Sequence, residues 1–226
     1  MTGAHDGTLQ TTGSGSGTFV AGKFDQAIDL ESSSGTQSYI TIGGPESDFD
    51  FTGGDMSVSM WYDAENLYTN WQALIAKGEG GAWRLARASG SNSNIKYDVI
   101  GPTVNGKLSV VGWHHVVAVV DDPTSVTIYV DGAVAGTRMG DPNIGNVGTN
   151  MQIGGNPEKG GRAWDGLIDD VAIWNRPLDA GEVSAIWNDG DGASIGSFAI
   201  PEPMTMLAVG MGITGLGGYI RKRRRG

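Results

Sequence analysis

The chain has 226 residues, a formal net charge of −10 and no cysteine. This length suits one all-β domain or two small ones. The absence of cysteine excludes disulfides and Cys-ligated zinc, and so acidic a chain disfavours nucleic acid as a partner. Residues 221–225 carry five of the 15 basic residues and Glu202 one of the 25 acidic ones, so the rest of the chain has a net charge of −14.

Most of the chain alternates apolar and polar residues with the period of a β-strand. In DMSVSMWYD, residues 55–63, methionine and valine alternate with serine, which is typical of a strand with one buried face. The same pattern predicts strands over residues 18–22, 24–30, 38–43, 71–77, 83–88 and 95–100. The 38 glycines provide many tight turns between such short strands.

The clearest pattern is a three-stranded meander in WHHVVAVVDDPTSVTIYVDGAVAGT, residues 113–137. Its predicted strands are 113–120, 125–130 and 133–137. Pro123 stops the first strand, and Asp131-Gly132 predicts a two-residue type I′ hairpin turn. About a dozen short strands connected in this way predict an all-β fold, a two-sheet antiparallel sandwich or jelly roll.

One helix is predicted, in PLDAGEVSAIWNDG. Asp179 can cap its N-terminus, and Glu182 can complete a capping box. The helix then presents one apolar stripe, formed by Val183, Ile186 and Trp187. These features assign the sandwich to residues 1–192, a flexible linker to 193–200 and a separate tail to 201–226.

Several of these stretches resemble, in the same order, the laminin-G-like jelly-roll modules of the concanavalin A-like lectin/glucanase superfamily. They are GKFDQAIDL, SYITI, the W-H-H-V hairpin ending in Y-V-D-G, MQIGGNP and WDGLIDDVAIWNRPLDAGEVSAIWNDG, and they span roughly residues 5–190. The resemblance implies two curved antiparallel sheets that bind glycans or proteins, often with a structural calcium. A minority of the superfamily are glycosidases.

Members of this family often begin with an extra edge strand before a D-G-T-L segment like residues 6–9. Here that strand is not seen in the sequence, and no signal peptide opens the chain. A start upstream of Met1 would explain both features. We therefore expect residues 1–192 to lack the N-terminal edge strand of the module.

The tail, PEPMTMLAVGMGITGLGGYIRKRRRG, resembles a PEP-CTERM sorting signal. Such signals occur in Gram-negative envelope and exopolysaccharide-associated proteins and are recognised by an exosortase. They consist of a Pro-Glu-Pro motif, an apolar span and a basic end. The residues assigned to the signal are Pro201, Glu202, Pro203, Arg221, Lys222, Arg223, Arg224 and Arg225.

The uncharged span of the tail, residues 204–220, predicts a single transmembrane segment. As a helix its 17 residues extend about 25 Å, and snorkelling arginines can cover the rest of a ~30 Å hydrocarbon core. Basic clusters stay on the cytoplasmic side. We therefore expect transient anchoring in the inner membrane, with the sandwich exported to the cell envelope or the extracellular matrix.

The sequence favours binding over catalysis. Laminarinase-like relatives carry E-x-D-x-E or E-x-D-x-x-E on one strand, because retaining glycosidases need two carboxylates about 5 Å apart. The nearest segment here, WDGLIDDVAIW, contains Asp165, Asp169 and Asp170 but no glutamate. His114 and His115 are strand neighbours that point to opposite faces. We therefore expect no catalytic residues.

Asp169 is a candidate for a structural carboxylate. Strict alternation over residues 167–174 would place it on one face with Val171 and Ile173, where a carboxylate needs backbone N–H donors, an arginine or a cation. One interpretation is an aspartate that braces the terminal strands through hydrogen bonds. The other is a structural calcium ion bound by Asp6 and Asp169, since calcium prefers oxygen ligands.

The ligand site is predicted from the seven tryptophans. Four lie in strong strand or helix patterns and are predicted to be in the core (Trp61, Trp113, Trp174, Trp187), whereas Trp71, Trp83 and Trp164 are ambiguous. Trp164, beside Arg162 in the loop GGRAWDG, is the best candidate for an exposed ring that stacks on a sugar. The sequence thus predicts a non-catalytic polysaccharide-binding module. The alternatives are a structural or adhesive protein that binds other envelope proteins and, third, a glycoside hydrolase.

Overall fold

The computed structural model describes residues 5–89, 94–98, 104–107, 112–193 and 205–206. Its strands are β1 (Gly7–Thr12), β2 (Ser16–Ala21), β3 (Gln26–Glu31), β4 (Gln37–Ile42), β5 (Met56–Ala64), β6 (Ala73–Ala76), β7 (Arg84–Arg87), β8 (Asn94–Asp98), β9 (Val104–Lys107), β10 (His114–Asp121), β11 (Ser125–Val130), β12 (Ala133–Met139), β13 (Gln152–Ile153), β14 (Gly166–Trp174) and β15 (Thr205–Met206). The α-helix is α1 (Ala180–Trp187), and 3₁₀ turns span Glu46–Phe49 and Asn188–Gly190.

The strands form two antiparallel sheets, which confirms the predicted jelly-roll sandwich. The seven-stranded sheet has the order β1-β4-β13-β6-β7-β8-β9. The eight-stranded sheet has the order β12-β11-β10-β5-β14-β3-β2, and β15 also pairs with β14. Strands β1, β9, β13 and β15 had no predicted counterpart, whereas each strand predicted from alternation overlaps an observed one.

The core lies between the sheets and follows the alternation of the sequence. In β5, Met56 and Val58 are fully buried in the main hydrophobic cluster. Ser57, which lies between them, and Ser59, which follows Val58, face away from that cluster. The Ser57 hydroxyl donates to the carbonyl of Arg176 at 2.8 Å. A smaller cluster joins the outer face of the eight-stranded sheet to α1.

The predicted turn and helix caps are confirmed. Asp131 and Gly132 have φ values of 51° and 74°, as a type I′ turn requires. At the start of α1 the Asp179 carboxylate accepts from the Glu182 amide at 2.8 Å, and the Glu182 carboxylate accepts from the Asp179 amide at 2.9 Å. The helix ends at Trp187, because Asn188 adopts the left-handed conformation.

The predicted face of Asp169 is wrong, because β14 contains a bulge. Its register against β5 shifts between Asp169 and Ala172, and Asp170 has a φ of 47°. The extra residue reverses the alternation. Val171 and Ile173 consequently join Ile168 in the main core, and Asp169 does not share their face.

Most of the predicted tail lies outside the described residues. The part that the structure describes, β15, pairs with Ala172 and Ile173 of β14. Over the described part of the chain, no helix has the length and apolar character needed to cross a membrane. The transmembrane span over 204–220 and the sorting residues at 201–203 and 221–225 therefore stay predictions.

Candidate functional site

Trp71 lies beside the seven-stranded sheet in a strained backbone conformation. Its φ is 65°, which is a rare value for a bulky side chain and costs about 1–3 kcal/mol. Its neighbours hold it there: the buried Gln72 amide donates to the carbonyl of Asn66 at 3.0 Å, and Arg87 donates to the carbonyl of Thr69. The half-buried Trp71 ring thus lies in a loop between β5 and β6 that these hydrogen bonds tie down.

Three cationic side chains converge on the Trp71 ring. Lys96 Nζ lies 4.5 Å, Arg84 Cζ 4.9 Å and Arg162 Cζ 5.9 Å from the ring centroid, all within the range of cation–π attraction. Arg84 and Lys96 point away from the core, because their neighbours Leu85 on β7 and Ile95 and Tyr97 on β8 pack inside the sandwich. A chain with a net charge of −10 thus concentrates positive charge at one aromatic ring.

Two carboxylates link these cations. Glu79 forms ion pairs with both Arg84 and Arg162. Asp98 pairs with Arg84 and, at 3.3 Å, with Lys96. The result is an alternating series around the ring, and we call it and the ring together the Trp71 site: Trp71, Lys96, Asp98, Arg84, Glu79 and Arg162.

Glu79 is the centre of the Trp71 site. Its carboxylate also accepts from the Asn156 amide at 2.7 Å, which joins the β6–β7 turn to the loop after β13. Burial raises the pKa of Glu79, but the hydrogen bonds and charges of Arg84 and Arg162 outweigh this effect, and the pKa is lowered overall. Glu79 is therefore ionised at neutral pH, and its charge orients both guanidinium groups.

The structure corrects one of the two predicted ligand residues. Trp164 is fully buried in the main core, where its ring packs edge-on against Tyr62 at 5.7 Å. It cannot offer a face to a sugar. Arg162, two residues earlier, does reach a tryptophan, but that tryptophan is Trp71. No local pattern marks this site, because its residues come from four separate segments of the chain.

The two aspartates predicted to bind calcium have different surroundings. Asp6 is exposed and precedes β1 of the seven-stranded sheet. Asp169 lies in the eight-stranded sheet, where its carboxylate accepts from the Phe24 amide at 2.8 Å and the Asp170 amide at 2.7 Å. Burial raises the pKa of Asp169, partly offset by these hydrogen bonds. These backbone donors are of the kind that the bracing interpretation requires, and calcium binding by Asp6 and Asp169 stays a prediction.

A different group of carboxylates lies close together on the eight-stranded sheet and in the segment after β5. Ligand oxygens of Asp29, Glu31 and Glu65 all lie within 4.8 Å of one another. Asp29 and Glu31 flank the buried Leu30 on β3, so they share one outward face. Burial and the charge of Asp165 raise the pKa of Asp29. Closely spaced carboxylates of this kind can ligate calcium, and we call them the carboxylate trio.

Glu65→Gln is expected to raise the melting temperature at pH 7 in the presence of a chelator. Burial, followed by the charges of Asp29 and other nearby carboxylates, raises the pKa of Glu65 above its usual range. A raised folded-state pKa means that ionisation destabilises the fold, so the penalty grows as pH rises above the unfolded value. The difference between the variant and the parent protein should therefore vanish near pH 4. A lower melting temperature for the variant at pH 7 would contradict this account.

The two histidines do not form a catalytic pair. His115 is fully buried, lies 2.8 Å from the Ser59 hydroxyl, and has a pKa lowered to about 3 by burial. His114 contacts the Asp131 carboxylate at 2.8 Å on the other side of β10. Their opposite orientation is as predicted.

Comparisons with known proteins identify the fold. Residues 34–184 match the Laminin_G_3 family model, described as the concanavalin A-like lectin/glucanases superfamily. The structure is similar to domain 4 of AbnA, a GH43 extracellular arabinanase from Geobacillus stearothermophilus, solved in complex with arabinotriose. The TM-score is 0.61 at 20% identity, over 83% of this chain and 88% of that one.

Two toxin binding domains have similar structures. The binding domain of Paraclostridial Mosquitocidal Protein 1 has a TM-score of 0.60 at 18% identity, over 81% of this chain. The binding domain of Botulinum neurotoxin DC in complex with SialylT has a TM-score of 0.59 at 14% identity, over 83% of this chain. This chain spans 47% of each of those two chains. No curated protein matches the sequence.

Proposed function

Because the chain belongs to the concanavalin A-like lectin/glucanase superfamily, we propose that it is a non-catalytic polysaccharide-binding module whose ligand site is the Trp71 site. One observation carries this proposal: an aromatic ring is held at a strained φ of 65° among charged hydrogen-bonding side chains. Backbone strain of this kind clusters at ligand sites. A sugar presents both an apolar C–H face and hydroxyl groups, and such a site offers partners for both.

The structural relatives support binding as the activity. Domain 4 of AbnA was solved with arabinotriose, and the neurotoxin binding domain with SialylT. Identities of 20% and 14% make these relatives guides to the fold, so the ligand of this chain has to be argued from its own residues. The polar groups of the Trp71 site are the basis for that argument.

The proposed location of the module is the cell envelope or the extracellular matrix. The PEP-CTERM-like tail supports export and sorting by an exosortase-type enzyme, with transient anchoring in the inner membrane. A structural calcium ion is part of the proposal, and the carboxylate trio is the best-supported place for it. Calcium should then raise the melting temperature of the parent protein more than that of the Glu65→Gln variant.

A glycan array probed with the purified full chain tests the proposed function. We expect binding to at least one polysaccharide, and Trp71→Ala should reduce the affinity at least about tenfold, which corresponds to about 1.4 kcal/mol. Trp187→Ala is the matched control. Trp187 is also half-buried, but it stacks on Trp61 on the other sheet, so this variant should keep full affinity. A chain that binds no glycan, or a Trp71→Ala variant that binds normally, would refute the proposal.

The carboxylate trio favours glycoside hydrolysis as a second candidate function. Retaining glycosidases place two carboxyl groups about 5 Å apart and raise the pKa of one of them. The trio has comparable spacing, and the pKa values of Asp29 and Glu65 are both raised. Release of reducing ends from a bound polysaccharide, abolished by Glu65→Gln, would establish hydrolysis in place of simple binding.

A further inference from the structure

The ion pairs of the Trp71 site form a linear series with a cation at each end. Following the ion pairs, the order is Lys96, Asp98, Arg84, Glu79 and Arg162. Three positive charges therefore alternate with two negative ones, and the site keeps a net charge of +1 in a chain whose overall charge is −10. An anionic ligand that contacts Lys96 or Arg162 would extend this alternation of charges, whereas a cationic ligand would place like charges side by side.

The site also has more hydrogen-bond donors than acceptors. Two arginines and one lysine carry about 13 N–H donors, while two carboxylates offer about eight lone-pair positions. The imbalance is visible at Arg84: its side chain is only 7% exposed, yet its Nε has no hydrogen-bond partner among the described residues. The two carboxylates therefore do not satisfy all the donors of the three cations, and the accessible donors of Lys96 and Arg162 suit a ligand rich in acceptors.

From this geometry we infer that the Trp71 site prefers a carboxylated sugar, a uronate residue within an acidic polysaccharide. This inference rests on the proposed function and narrows its ligand class. The uronate carboxylate binds the outer cations, Lys96 and Arg162, and the sugar ring packs beside Trp71. Arginine binds carboxylates through paired hydrogen bonds, and the strained loop holds the ring ready for the sugar.

The acidity of the rest of the protein does not prevent this interaction. At physiological ionic strength the Debye length is about 8 Å, so carboxylates farther away are largely screened from the ligand. The cations of the Trp71 site lie within 6 Å of one ring centroid, and their attraction acts at contact distance. Preference for the acid should therefore persist at 0.15 M salt.

Polygalacturonate and its fully methyl-esterified form provide a matched pair of probes, because they share one sugar backbone and differ in charge. Binding of each to the full chain is measured by calorimetry at 0.15 M salt with a chelator, which prevents calcium from bridging the polymer to the carboxylate trio. We expect the acid to bind at least about tenfold more tightly than the ester.

Two variants connect this preference to the site. Lys96→Gln and Arg162→Gln should each reduce the affinity for the acid more than the affinity for the ester, so that the ratio of the two affinities falls towards one. Arg138→Gln is the matched control, because Arg138 is an exposed cation on β12 of the other sheet. It should leave the preference unchanged.

Each possible result separates this inference from the proposed function. Equal affinity for acid and ester would overturn the uronate preference and leave glycan binding intact. Equal affinity for polyglutamate and polygalacturonate would show recognition of any polyanion and would overturn the sugar specificity. A chain that binds none of these polymers and no glycan on the array would refute the proposed function itself.

Discussion

Replacing Lys77 with methionine is expected to lower the free energy of unfolding by about 3–5 kcal/mol. Lys77 directly follows β6, and its side chain is completely buried. Its ammonium contacts Glu46 at 2.5 Å and Asp50 at 2.9 Å, and donates to the carbonyls of Val147 at 2.8 Å and Thr149 at 2.6 Å. One cation therefore serves four acceptors from two other segments.

Methionine fills a similar volume but leaves these acceptors without their donor. Two carboxylates would then face each other near a carbonyl pair, with the side chain of Asp50 almost inaccessible to water. Removing one partner of a buried ion pair is costly because the remaining charge stays buried and unpaired. Urea denaturation of the full chain measures the loss. Lys159→Met is the control, since Lys159 is exposed, and it should change stability by less than about 0.5 kcal/mol.

A triple variant separates charge from packing. Lys77→Met combined with Glu46→Gln and Asp50→Asn removes the unpaired charges, so it should recover part of the stability that Lys77→Met loses. If the triple variant is less stable than the single one, the cost comes from lost hydrogen bonds and packing around Lys77. A loss below about 1 kcal/mol in Lys77→Met alone would show that the network contributes little.

The sandwich could be predicted from sequence because its signals are local. In DMSVSMWYD the alternation sets which side chains of β5 enter the core, and Asp131-Gly132 sets the turn between β11 and β12. The capping box of α1 needs only Asp179 and Glu182, three residues apart. The bulge in β14 escaped prediction because it appears only as a shift in the register of β14 against β5, with a positive φ at Asp170. A period-two pattern in the sequence contains no sign of an extra residue.

The candidate site could not be predicted in the same way. Trp71 was placed at the start of a predicted strand, but β6 begins at Ala73 and Trp71 belongs to the preceding loop. Arg84, Lys96 and Arg162 become neighbours only when β7, β8 and the loop after β13 come together. Cations that surround one aromatic ring have no characteristic spacing in the sequence. The sequence analysis therefore identified Arg162 but paired it with Trp164 instead of Trp71.

Trp164→Ala should lower the free energy of unfolding by about 3–5 kcal/mol. The side chain is 0% exposed and packs among the main core residues, with Tyr62 at an edge-on angle of 85°. Alanine at this position leaves a cavity that the surrounding sheets can only partly close. Trp164→Phe keeps an aromatic ring and should lose less. Urea denaturation of both variants measures the difference.

The same two tryptophans also distinguish a core role from a ligand role. Trp71→Ala should weaken glycan binding while costing much less stability than Trp164→Ala, because the Trp71 ring is only half-buried. The Trp71→Ala substitution also leaves the positive φ at position 71, and therefore the backbone strain, in place. Trp164→Ala, measured at a temperature where it is fully folded, should bind glycan with nearly unchanged affinity. If Trp164→Ala instead stays stable and loses binding, the Trp164 side chain is not buried in the core in solution. The ligand site would then include the ring that the sequence first indicated.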